Sequence, residues 1–359
     1  MKPRKIAIVA EWLTSRGGAE SVVFELIKIF PQADIFTTVF NPHLFPELKG
    51  KKVTTSFLQK IPILNKKHQL ASFLLPRAIK SLPLSEYDLV ISSSSAFGKG
   101  IRKEKNTFHI CYCHTPMRWV WEPNRDRRLS SIPFNGLIRK ALKRWDLKSN
   151  EGVDLFLANS KNTASKIRKF YKREAQILYP PVDIEFSLKE NTYQKKDYYF
   201  AISRFVSYKR IDLAIKACEK LNKKLFIAGT GPEEKKLRSI SGKHTTFLGQ
   251  IDLAQKIKHY KEARATIFCA NEDFGIVPVE SLSCGTPVIA YGKGGALEVV
   301  EEGRTGVFFE KQNVESLIGG ILKLEEIDFN KNYLEQSVRK FDRIHFEKNL
   351  KKIIDNIRR

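Results

Sequence analysis

At 359 residues the chain exceeds one ordinary domain of ~100–200 residues, so two domains are expected. A 42% apolar, 28% charged composition with 35 Gly plus Pro excludes fibre and disorder, and five dispersed Cys exclude a disulfide scaffold or structural zinc. The formal net charge of +24 leaves nucleic acid, an anionic membrane surface or a phosphorylated substrate as partners, beside a merely solubilising surface.

Residues 5–10 read as the first strand, and a helix is expected over 19–30. Between them Gly17-Gly18 lets backbone N–H groups approach an anion at the helix's positive end, although the G-x-G-x-x-G spacing is lacking and a plain glycine turn reads as well. Further strands follow at 34–39, 88–92, 107–113 and 154–158, with a helix at 162–171. Cys111 and Cys113 share one face of their strand and read as packing. His114 falls at that strand's carboxyl end beside Pro116, Arg118, Trp119 and Trp121, a composition suited to sugar stacking and hydrogen bonding, or to a histidine satisfied at a strand end. The seam lies at Tyr179-Pro180-Pro181-Val182-Asp183, where two prolines forbid helix. Residues 1–183 hold 32 basic and 15 acidic side chains, so +17 of the excess sits ahead of it.

Strands recur at 198–202, 224–228, 244–248, 265–269, 287–290 and 306–309 with helices between. Near-continuous apolar strands alternating with helices mean parallel sheets covered on both faces, hence two doubly wound domains facing each other across a cleft. Ligands of such sheets bind beyond the strands' carboxyl ends. There Arg204 and Lys209 flank a turn that opens a helix, a fork of donors and a point charge suited to a diphosphate. The turn Gly229-Thr230-Gly231-Pro232 lacks the third glycine of a dinucleotide fingerprint, which disfavours nicotinamide binding. Within 271–290, Glu272 lies in a loop and Glu280 on a short helix expected from Ile276 to the stop at Gly285. One carboxylate could face a reacting group and the other hydroxyls farther along the ligand, with the N–H groups of Phe274, Gly275 and Ile276 aimed at an anion between them.

These residues resemble a known family. Glu272 to Glu280 reproduces the E-x7-E motif of retaining GT-B glycosyltransferases, and Cys284-Gly285-Thr286-Pro287-Val288 with Gly294-Gly295-Ala296-Leu297-Glu298 resembles glycosyltransferase family 4. Gly17-Gly18-Ala19-Glu20, His114-Thr115-Pro116, Ala158-Asn159-Ser160, Ser203-Arg204 with Lys209-Arg210, and Phe247-Leu248-Gly249 extend the likeness over nearly the whole chain. It implies an acceptor-binding domain over 1–183, a nucleotide-sugar-binding domain over 184–340, and a last helix, 341–359, crossing back to the first domain. By position it makes Arg204 and Lys209 neutralise the leaving diphosphate, assisted by N–H groups at Gly17, Gly18 and around Gly275. Glu280 would bind the ribose, the backbone near Ile251 the base, Glu272 the sugar hydroxyls, and His114 would orient sugar and acceptor. The departing phosphate would accept the acceptor's proton, so neither a protein base, a metal nor a cofactor is implied.

The blocks 111–121, 203–212 and 272–280 are similar to mannosyl-transferring members that build bacterial surface polysaccharides. GDP-mannose as donor and a lipid-linked glycan as acceptor are therefore expected, UDP-sugars being the alternative. Residues 49–80 mix Lys60, Lys66, Lys67 and other bases with bulky apolar side chains, which suits attachment to an anionic leaflet or an amphipathic helix covering the sheet; with Arg118 these are the acceptor or membrane candidates. No apolar run spans a bilayer and no signal peptide is read, so a cytoplasmic protein, peripheral on the inner face of the membrane, is expected. Nucleic-acid binding is the competing class, but the bases are dispersed and no nucleic-acid motif accompanies them.

Overall fold

The computed structural model describes residues 5–62, 73–125, 135–185 and 193–357. The chain divides into two compact units, Met1–Pro181 with Phe346–Arg359, and Val182–His345.

The first unit is built on seven parallel strands: β1 (Ile6–Ala10), β2 (Asp34–Thr37), β3 (Val53–Thr55), β4 (Leu89–Ser94), β5 (Phe108–Cys113), β6 (Leu155–Ala158) and β7 (Ala175–Ile177), in the order β3-β2-β1-β4-β5-β6-β7. Every residue of β1 is buried, as a strand covered on both faces requires, and Ile8 pairs with Ile35 on one side and Ile91 on the other. The helix Gly18–Ile29 lays Val22, Val23, Leu26 and Ile27 on this core, and Phe346, Leu350 and Ile354 of the helix Arg343–Ile357 reach the same cluster at i, i+4, i+8. Strands β3 and β7 were not expected, since three half-exposed residues each give no apolar run to read.

On β5 itself His109 is fully buried: Nδ1–H donates to the Gly152 carbonyl at 2.9 Å, and the Ser92 hydroxyl lies 2.8 Å from Nε2. Burial lowers its pKa to about 4, whereas the unfolded chain protonates near 6.5. The stabilisation held by neutral His109 is therefore complete above pH 6.5 and is lost as the pH falls toward 4, about 3 kcal/mol in all. Thermal melts between pH 7 and 4 should show this slope, and His109→Gln should flatten it; an unchanged slope would contradict the assignment.

The second unit has six parallel strands, β8 (Tyr199–Ile202), β9 (Leu225–Ala228), β10 (Thr245–Gly249), β11 (Ala265–Phe268), β12 (Val288–Tyr291) and β13 (Gly306–Phe309), ordered β10-β9-β8-β11-β12-β13. The helices Ile211–Lys220 and Val314–Glu325 bury Ile211, Ala214, Ile215, Leu317 and Ile321 against one face. The strand order reverses between β1 and β4 in one sheet and between β8 and β11 in the other. In sheets of this kind ligands bind at such switch points, beyond the strands' carboxyl ends.

Candidate active site

Arg204 and Lys209 follow β8 and Glu272 follows β11, so the switch point of the second sheet brings the three onto the two loops that flank it. The expected helix after β8 is delayed: a 3-10 turn, Ser207–Lys209, leads into Arg210 in a left-handed conformation before the helix starts at Ile211. Arg210 is fixed there by Asp212, at 3.1 Å, and by the Gln312 carbonyl at 3.3 Å. The turn directs the Lys209 ammonium onto the Glu272 carboxylate, both side chains keeping less than a quarter of their surface exposed. Arg204 is exposed, and among the described residues its guanidinium has no hydrogen-bond or ion-pair partner. A close backbone approach explains the glycine turn after β9: a Cβ on Gly229 would lie 1.9 Å from the Ser203 carbonyl oxygen, beside Arg204.

The loop bearing Glu272 ends at Gly275, whose φ of +91° suits glycine, and the helix Ile276–Ser283 follows. Phe274 turns its ring inward against Phe341, so only its backbone is left to the loop surface. Gly275 and Ile276 precede the first intrahelical bonds, and their N–H groups have no partner among the described residues. A second glycine pair braces this loop. Gly295 N–H donates to the Glu272 carbonyl at 2.8 Å, and a Cβ on Gly295 would fall 2.2 Å from the Phe274 carbonyl oxygen. Gly295→Ala must therefore displace residues 272–274, and urea unfolding should show a loss of about 1–3 kcal/mol, as overpacking implies. An unchanged midpoint would show that the loop yields without cost.

Glu280 lies one turn into the helix Ile276–Ser283, its two oxygens engaged by Lys256 at 2.6 Å and Tyr260 at 2.9 Å. Ile251 sits in the link from β10 to the helix Leu253–Glu262, which Asp252 and Gln255 close with a reciprocal capping box.

In the first unit His114 follows β5, its Nε2 2.7 Å from the Ser93 hydroxyl oxygen at the end of β4 and its ring edge-on to Tyr112. The residue is partly exposed, and desolvation by its surroundings lowers its pKa to about 4, so it is neutral at physiological pH. The neighbouring tryptophans do not serve a sugar: Trp119 is in the core, and Trp121 stacks on Phe170 at 4.9 Å while its indole N–H donates to Asp146. Their apolar area is spent on the interior, which corrects the stacking expectation. Arg118, at the start of the single-turn helix Arg118–Trp121, is partly buried. Gly17 is the extended N-cap of the helix that begins at Gly18, and both are exposed. Glu11 was not anticipated. Its Oε1 accepts from the N–H groups of Ser95, Ala96 and Gly98 and from the Ser94 hydroxyl, filling the β1–β4 switch point with an internal anion. Only its place directly after a strand could have drawn attention to it.

Residues 183–341 match the model "Glycosyl transferases group 1", and residues 16–186 match "Glycosyltransferase Family 4". The chain belongs to glycosyltransferase family 4. It is 26% identical over 285 residues to human alpha-1,3/1,6-mannosyltransferase ALG2, covering 68% of the chain and 65% of that protein. The Kluyveromyces lactis ALG2 is 26% identical over 95% of the chain and 79% of its own length. An uncharacterised Methanocaldococcus jannaschii glycosyltransferase is 29% identical over 48% of the chain, which spans about half, 49%, of that relative. The Anabaena HepE protein, solved with UDP, superposes with a TM-score of 0.73 at 17% identity, over 98% of this chain and 100% of its own. The likeness fixes the fold of this glycosyltransferase as GT-B, as the sequence motifs led one to expect.

Proposed function

We propose that this glycosyltransferase moves mannose from GDP-mannose to a lipid-linked glycan of a surface polysaccharide, with retention at the anomeric carbon. The observation that carries the donor reading is the Lys209–Glu272 ion pair at the second sheet's switch point, four residues ahead of a helix start with unused N–H donors. A sugar diphosphate divides such a pair between its own groups, phosphate taking the ammonium and sugar hydroxyls the carboxylate. As the bond from the anomeric carbon to the phosphate oxygen breaks, charge grows on the diphosphate, and Arg204, Lys209 and the N–H groups of Gly275 and Ile276 offset it. The acceptor hydroxyl bonds to the anomeric carbon from the same face and gives its proton to the departing phosphate. Neutral His114 supplies a hydrogen bond that orients hydroxyls. Glu280 takes the ribose, and the backbone at Ile251 the base.

Mannose is favoured because the relatives aligned over most of the chain are named mannosyltransferases. A panel of GDP- and UDP-sugars with the purified protein tests this: turnover with GDP-mannose, undiminished by EDTA, is expected. Turnover confined to UDP-sugars would overturn the mannosyl reading, and abolition by EDTA the metal-independent one.

For the acceptor side we propose contact with an anionic leaflet. Among the described residues no helix is long and apolar enough to cross a membrane. Phe57 and Phe73, 40% and 72% exposed, lie among exposed Lys51, Lys52, Lys60, Arg77 and Lys80. The alternative reading of 49–80, an amphipathic helix covering the sheet, meets β3, a 3-10 turn at Phe57–Lys60 and the short helix Leu75–Lys80 among the described residues; Lys66 and Lys67 lie outside them. Each surface base contributes roughly 1 kcal/mol of attraction to an anionic leaflet. Flotation should recover the protein with phosphatidylglycerol vesicles and lose it with neutral ones; equal recovery would contradict the proposal.

A further inference from the structure

We infer that Tyr260 and Lys256 are positioning residues that make Glu280 a reader of ribose, an inference that rests on the nucleotide-sugar reading above. Both lie on the helix Leu253–Glu262, one turn apart and so on one face, and both donate to the Glu280 side chain, Tyr260 to Oε2 and Lys256 to Oε1. Tyr260 is 1% exposed, its ring is edge-on to Phe200 at 5.2 Å, and its backbone carbonyl accepts from the Thr286 hydroxyl. A phenol so held has one direction in which to donate. A glutamate on a helix surface otherwise samples several rotamers, and fixing one before the ligand arrives removes that entropic cost from binding.

The chemistry left over fits a vicinal diol. An ionised carboxylate offers about four acceptor sites, and the two donors take one on each oxygen. The side chain remains 22% exposed, so acceptor capacity faces solvent, and the two hydroxyls of a ribose are matching donors. The Lys256 ammonium has a second effect. It balances the Glu280 charge, which would otherwise repel a diphosphate bound to the same unit. The two residues therefore have separable signatures. Tyr260 sets the preference for ribose over a sugar lacking hydroxyls, and Lys256 sets affinity for the anionic nucleotide irrespective of those hydroxyls.

The test is calorimetric titration of wild type, Tyr260→Phe and Lys256→Met with GDP and 2′,3′-dideoxy-GDP, and with the corresponding uridine pair. For whichever base binds, wild type is expected to prefer the ribonucleotide about ten-fold or more, as hydrogen bonds to a charged group imply. Tyr260→Phe should lower that preference about three-fold or more, and raise the donor KM while leaving kcat within about two-fold. Lys256→Met should weaken both nucleotides together. If wild type discriminates and Tyr260→Phe discriminates equally well, the positioning role is overturned while the nucleotide reading stands. If wild type binds the two nucleotides alike, or neither base at all, the assignment of Glu280 to ribose falls, and this inference with it. A variant that merely lowered the melting temperature would leave the ratio of the two dissociation constants unchanged, and that result too would overturn the role.

Discussion

Lys209→Ala is expected to lower turnover about 10²–10³-fold, the loss seen when one preorganised donor is removed from a developing anion. The lysine is placed by three local features in succession: the end of β8, the 3-10 turn Ser207–Lys209, and the left-handed Arg210 pinned by Asp212. None of these depends on Lys209 itself, so the variant should fold normally. Its partner Glu272 keeps part of its surface in water and tolerates the loss of the ammonium. In the transfer proposed above the defect should appear mainly in kcat, because the charge assigned to Lys209 is largest as the sugar leaves. Lys209→Arg should recover part of the rate, since it keeps the charge but replaces a compact ammonium with a planar fork. A loss below about five-fold for alanine would show that the lysine does not face the leaving group.

Asp146→Ala should destabilise the first unit by about 3–5 kcal/mol, the cost of leaving a buried charge without its partner. Lys99 is 2% and Asp146 0% exposed, and the two form an ion pair inside a shell of Trp121, Trp145 and Tyr171. Trp121 Nε1 donates to the other oxygen of Asp146 at 2.6 Å, so the carboxylate serves two donors at once. Replacing both charges with apolar groups, Lys99→Met with Asp146→Leu, removes the stranded ammonium and should cost less than Asp146→Ala alone, leaving mainly the unpaired indole N–H. Urea unfolding of the three proteins measures this order. A double variant less stable than Asp146→Ala would mean that the pair stabilises by attraction beyond its desolvation cost.

Five strands of the second unit were legible because each is a short, largely buried apolar run, and the half-exposed edge strand β10 also lies close to where the sequence puts it. Strands β3 and β7 were not, because they are three residues long and half-exposed at the edges of their sheet. Local spacing put Glu272 and Glu280 eight positions apart around a helix start, yet their partners come from elsewhere: Lys209 from the loop after β8, Lys256 and Tyr260 from another helix. Glu11 likewise acquires its role only when β4 is laid beside β1 and the backbone of 95–98 turns around it. The tryptophans beside His114 show the opposite error, where composition pointed to a ligand and packing claims the rings. The +24 charge is similarly redistributed: Lys99, Lys209 and Lys256 belong to internal pairs, whereas Lys140, Lys143, Arg144 and Lys148 line the exposed surface of one helix.

Hydrogen–deuterium exchange with and without GDP-mannose tests the central claim most directly, that the second unit's switch point holds a nucleotide sugar. Protection is expected at residues 203–210, 250–260 and 271–283, strongest at the N–H groups of Gly275 and Ile276. Unchanged exchange in all three segments at saturating nucleotide sugar, or protection confined to Met1–Pro181, would contradict it.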